Sequence, residues 1–121
     1  MPVDGRLHGS WKSDRRRTLA EIRPRLRRAS RKRRVFESMF GHLKLRFGRG
    51  SLSSEFKGER DVCKYRVLGR DEDSVVIMVD GGFRGKPRIQ HIHFERSSYW
   101  VSIGPYREWF KRARARIAHP R

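Results

Sequence analysis

The sequence predicts a mainly β protein: an antiparallel up-and-down barrel or half-barrel of about seven or eight short strands, with a short helical insert after the first. Three observations predict it. Across residues 42–110 apolar and polar side chains alternate with a period of two, the signature of strands buried on one face. Gly-, Asp- and Ser-rich turn signals interrupt that alternation every ten or so residues, which suits hairpins rather than long crossovers. Helical spacing is confined to residues 14–41, between a first apolar segment at 7–13 and the alternating region. With 121 residues the chain is read as a single domain, 1–121.

The elements follow in order. Residues 7–13 form a first strand around Trp11. In the insert, Thr18 and Glu21 have capping-box spacing, and Leu19, Ile22 and Leu26 share one helical face. Pro24 breaks that helix, Ser30 is a second N-cap, and Phe36, Met39, Phe40 and Leu43 recur at helical spacing until Gly41 stops the turn. The period then changes to two. Leu43, Leu45 and Phe47 alternate with Lys44 and Arg46, and Gly48-Arg49-Gly50 turns the chain. Further strands are expected at 52–56, 62–68, 74–79, 88–94, 99–103 and 106–110, with a basic tail at 111–121.

Charge is distributed unevenly. The net charge is +18, from 31 Lys and Arg against 13 Asp and Glu. Eleven of the basic residues fall between positions 15 and 34, where Glu21 is the one acid, whereas residues 35–106 hold 12 basic against 9 acidic side chains. A cationic arm and tail are thus attached to a domain of ordinary charge. Arg outnumbers Lys by 24 to 7, as a GC-rich coding sequence also produces. One cysteine, Cys63, excludes an internal disulfide. Positions 1–6 carry no apolar run and no stretch reaches the ~20 apolar residues of a membrane helix. The expectation is a cytoplasmic protein with no membrane span; the oligomeric state is left open.

Gly9-Ser10-Trp11 on the first strand and the Arg-bearing last strand, Tyr106-Arg107-Glu108-Trp109-Phe110, together resemble the lipocalin-like (calycin) barrels, and in particular small bacterial domains of that type. The resemblance implies that Trp11 plugs one end of the barrel under a cation–π partner, Arg107 or Arg112. It also implies a non-catalytic protein with no cofactor, binding a small apolar ligand in the barrel. Phe36, Met39 and Phe40 would form a lid, and Met78, Phe94 and Trp100 a wall. A barrel filled by its own side chains is the competing expectation. The helical insert, the short chain and the absence of disulfides depart from secreted lipocalins.

Enzyme signatures are missing from the polar residues. Ile89, His91, His93 and Glu95 share one strand face, so His91, His93 and Glu95 are a candidate divalent-metal set. Gly85, His91 and His93 resemble the opening of the cupin metal motif, but Ser97 and Ser98 stand where its Glu belongs. The alternative is that both histidines face outward while Ile92 and Phe94 fill the core. Cys63 lies mid-strand and reads as structural. Residues 81–85 are Gly-rich, yet no helix follows them, so they read as a hairpin loop. The basic arm supports an alternative function: Arg15, Arg16, Arg17, Arg31, Lys32, Arg33 and Arg34 are candidate phosphate contacts for nucleic acid, with Tyr99, Trp100 and Trp109 as aromatics able to stack on bases. An anionic lipid surface is a further partner such an arm suits.

Overall fold

A computed structural model describes residues 4–26, 30–81 and 86–113. Eight strands run in order: β1 (Gly9–Ser13), β2 (Leu43–Phe47), β3 (Ser51–Phe56), β4 (Glu59–Arg70), β5 (Ser74–Asp80), β6 (Arg88–Glu95), β7 (Ser98–Ile103) and β8 (Tyr106–Arg112). Each pairs antiparallel with its neighbours and β8 returns to β1, closing the barrel. Between β1 and β2 lie α1 (Arg15–Ile22), a 3-10 turn (Arg23–Arg25) and α2 (Arg31–Glu37). The basic tail beyond residue 113 and the loop residues 82–85 lie outside the described residues.

Strand alternation places Trp11, Phe47, Leu52, Tyr65, Val75, Ile77, Val79, Ile92, Tyr99 and Phe110 in one buried interior cluster. Its aromatic members interlock: Trp11 meets Tyr99 edge-on with centroids 4.6 Å apart, and Tyr99 stacks on Phe110 at 4.9 Å. A second cluster of Leu19, Ile22 and Phe40 gathers Leu26, Phe36, Ile103 and Tyr106 where the insert meets the β7–β8 hairpin.

The insert differs from its sequence expectation at its start. α1 begins at Arg15, and its N-cap is Asp14, which accepts from the Arg17 amide at 3.1 Å. Thr18 is needed elsewhere. β1 is shorter than β8 and leaves the first half of β8 unpaired on its β1 side, so the Thr18 hydroxyl accepts from the Trp109 amide at 2.9 Å. Glu21, free of any capping role, holds Arg107 in a two-point ion pair at 2.8 and 3.0 Å. Pro24 converts the next turn to a 3-10 helix, Ser30 caps α2, and Gly41 at φ +95° ends the insert.

One barrel end is sealed by the N-terminal segment. Arg112, last on β8, donates to the carbonyls of His8 (2.5 Å) and Arg6 (2.8 Å), with its guanidinium carbon 4.0 Å from the Trp11 ring centroid. The Trp11 indole donates to the Leu7 carbonyl at 2.8 Å, so indole and guanidinium grip the same turn. Gly9 has φ +114°, and a Cβ there would stand 2.7 Å from an Arg112 nitrogen. Arg6 extends the seal: it pairs with buried Asp4 and donates to the Glu72 and Ser74 carbonyls of the β4–β5 turn. Arg107, the other cation weighed for Trp11, faces the outer wall instead.

Arg112→Ala should lower stability by about 2 kcal/mol, since it removes the cation–π interaction and two charged hydrogen bonds. Gly9→Ala should destabilise by about 1 kcal/mol or more through its positive φ. Measured by urea unfolding, the double variant should lose less than the sum of the two, because the new Cβ clashes with the side chain that Arg112→Ala removes. Strict additivity would show that Gly9 and Arg112 do not meet.

Candidate ligand site in the barrel mouth

Pairing register separates the inward-facing residues into two levels. Toward the sealed end, Trp11, Phe47, Leu52, Tyr65, Val75, Ile77, Ile92, Tyr99 and Phe110 are all nearly inaccessible. Toward the other end, register puts Leu43 and Leu45 of β2, Ser54 of β3, Cys63 of β4, Gln90 of β6 and Glu108 of β8 on the same inward face. Each of these is only partly buried. These six inward side chains keep some contact with solvent at that end, whereas Ser13, Val79 and Val101 beside them are buried.

Glu108 supplies the one inward carboxyl on β8, on the face of Tyr106, Phe110 and Arg112. It accepts from the Ser13 hydroxyl at 2.7 Å, and Ser13 in turn accepts from the Gly41 amide at 3.0 Å. Among the described residues it has no ion-pair partner. Burial raises its pKa from 4.5 and the Ser13 hydrogen bond offsets part of that rise. Across the barrel, burial likewise raises the Cys63 thiol, against the opposing pull of Arg88 at the rim.

The structure distributes the sequence-predicted ligand residues over both faces of the wall. Phe94 faces inward against the main cluster, near the sealed end and under the Arg6 guanidinium (4.5 Å). Phe36 and Phe40 pack edge-to-face at 5.2 Å in the second cluster, over the β7–β8 side of the mouth, while Met39 is exposed. Trp100 and Met78 are on the outer wall, because their neighbours Tyr99 and Val101, and Ile77 and Val79, are the buried inward residues.

The outer wall over β6, β7 and β8 carries a ladder of rings and cations. His91 meets His93 at a tilt (4.0 Å), and His93 stacks on Trp100 (3.9 Å). Arg107 spans Trp100 and Trp109 at 4.8 and 5.1 Å, and Arg17 caps Trp109 at 3.4 Å. Glu95 bonds Arg17 at 3.3 Å, so this carboxylate is directed at a cation. Among the described residues no three His, Cys, Asp or Glu side chains converge as a metal set would. Burial and the neighbouring His91 both lower the His93 pKa.

The cationic candidates divide. Arg17 is engaged by Trp109 and Glu95, and Arg33 by Glu37. Arg15, Arg16, Arg31, Lys32 and Arg34 are exposed. A row that sequence reading did not find joins them: Lys111, Lys12 and Lys44 stand abreast on β8, β1 and β2. Nothing in the linear sequence groups these lysines; only the closed register does. Glu108 and Ser13 were legible in principle, since alternation from Phe110 and Trp11 puts both inside.

Scans against protein-family models, curated proteins and solved structures find no match to this chain.

Glu108→Gln tests the site electrostatics. A carboxyl whose folded pKa is raised favours folding when protonated, and that advantage is lost as pH rises above 4.5 through the folded value. Chemical unfolding from about pH 4 to pH 8 should therefore show the variant gaining stability relative to wild type as pH rises. Asp4, Glu37 and Asp71 titrate alike in both proteins and cancel. A difference that stays constant with pH would contradict the placement of Glu108.

Proposed function

We propose that this chain is a non-catalytic, lipocalin-like barrel that binds a small, mostly apolar ligand in the open half of its interior. The observation that carries this reading is the division of the inward face: close-packed around Trp11 and Tyr99, partly solvent-accessible around Leu45, Cys63 and Glu108. Apolar lining with a few convergent polar groups is the usual character of a small-molecule site. The Gly9–Trp11–Arg112 arrangement supports the lipocalin-like part of the reading, since it seals one end as that family does. The packing of Phe36 and Phe40 of the insert against Ile103 and Tyr106 at that end supports a lid role for the insert.

A second reading rests on the lysine row. Like charges directly opposite on neighbouring strands repel. Lys12, Lys44 and Lys111 form no ion pair among the described residues, and Glu55 opposite Lys44 on β3 is the one carboxylate paired with the row. Exposed Arg15 and Arg16 follow β1 after Asp14. Such a surface suits a polyanion, nucleic acid being the plainest, with the barrel as scaffold.

One titration set separates the readings. A neutral apolar fluorophore, N-phenyl-1-naphthylamine, should bind saturably, insensitive to salt, and weaken about tenfold or more in Leu45→Trp, where an indole fills the cup. A labelled duplex should bind, if at all, with a steep salt slope. The triple Lys12→Ser, Lys44→Ser, Lys111→Ser change should flatten that slope by about 0.9 for each phosphate it leaves unneutralised. Duplex binding at physiological salt without fluorophore binding would replace the first reading by the second.

A further inference from the structure

We infer that the cup selects ligands with a cationic head, an amine on an apolar body, with Glu108 as the group that receives it. This rests on the proposed cup and names the class of molecule it takes.

Charge sets the preference. In a chain of 31 basic residues, Glu108 is a carboxyl turned into the barrel, and the described structure brings no cation to it. The glutamates around it each have one: Glu21 has Arg107, Glu37 has Arg23 and Arg33, and Glu95 has Arg17. Arg112 shares the inward face of β8 but is four residues on, about 13 Å along the strand, beyond Phe110 and bound to Trp11 and two carbonyls. Arg107, next to Glu108 in sequence, points to the opposite face.

The other inward groups do not replace a cation. From β1, Ser13 gives one neutral hydrogen bond. Tyr99 of β7 is buried among aromatics, and its hydroxyl is held neutral by burial and by Glu108 itself. Asp61 and Cys63 of β4 stand on the wall four strands away, and Asp61 adds negative charge there. Arg88 of β6 is an exposed rim residue that acts on Cys63. Tyr106 of β8 is neutral and packs with Phe36.

A half-enclosed carboxylate without a cation carries a desolvation penalty that a bound ammonium removes. Val101, opposite Glu108 on β7, belongs to the apolar cluster, and Leu43 and Leu45 of β2 pack against it, so the surroundings for the rest of the molecule are apolar. An anionic head would be repelled there, and a neutral hydroxyl would gain only a hydrogen bond. The outside of the protein has the opposite preference, which makes the inner site distinguishable from surface binding.

The test uses octylamine, octanol and octanoate, titrated calorimetrically at about pH 7 into wild type, Glu108→Gln and Leu45→Trp. Wild type should bind octylamine about tenfold or more tightly than octanol, the advantage of a charged over a neutral hydrogen bond, and octanoate weakest. Glu108→Gln, whose fold is checked by its unfolding curve, should keep octanol binding and lose the amine preference. Leu45→Trp should weaken all cup binding and leave any surface binding of octanoate. If the three probes bind equally in wild type, or Glu108→Gln keeps the preference, the amine inference fails while the cup stands. If no probe binds, or Leu45→Trp changes nothing, the cup itself fails.

Discussion

The grip of Arg112 on Trp11 and on the carbonyls of Arg6 and His8 is the interaction on which the rest of the molecule depends. It sits where β8 pairs with β1 to close the ring, and it pins the N-terminal turn across the end of that ring. A barrel of eight strands has an interior that side chains can just fill. At the plugged end Trp11, Tyr99 and Phe110 pack into an aromatic floor, with Leu7 and Asp4 fully buried beneath. Above the floor the same alternation continues with partly buried residues: Leu43, Leu45 and Cys63 against the main cluster, and the polar Ser54, Gln90 and Glu108.

Closure also creates a shortage on the opposite side. β1 has five residues and β8 seven, so the early part of β8 would present bare hydrogen-bonding groups. The segment at the start of α1 meets that need. Asp14 donates its amide to the Trp109 carbonyl, Thr18 receives the Trp109 amide, and Arg17 covers the indole. The basic insert is therefore a structural part of the wall before it is a partner-binding arm. Its arginines divide accordingly: Arg17, Arg23 and Arg33 hold aromatics and acids, while Arg15, Arg16, Arg31 and Arg34 remain on the surface.

The antiparallel meander was legible in the sequence because period-two alternation and turn residues are local signals, and Gly9 with Trp11 marked the first strand. Closure was not, since the pairing of β8 with β1 joins positions about a hundred residues apart. Capping was also less legible. Thr18 and Glu21 have the spacing of a capping box, but both are drawn away by β8, a partner some 90 positions distant that no local pattern reveals. Trp100 and Met78 illustrate a different miss: hydrophobicity pointed them inward, whereas the pleat, read from Tyr99 and Ile77, sends them out. Glu108 is visible by the same rule. The lysine row is not, since Lys12, Lys44 and Lys111 are neighbours only through register around a closed sheet.

An upper interior open in the folded protein is the central claim, and Cys63 reports on it directly. It is the one thiol, inward-facing on β4 and partly exposed, 3.9 Å from where a Cβ at Gly81 would lie. Iodoacetamide labelling should be followed by mass spectrometry across a series of sub-denaturing urea concentrations. An open cup predicts that Cys63 reacts in the native state at a rate nearly independent of urea, slowed relative to the unfolded chain by its raised pKa. Labelling that is absent without urea and rises only in step with global unfolding would show a filled barrel and contradict the claim.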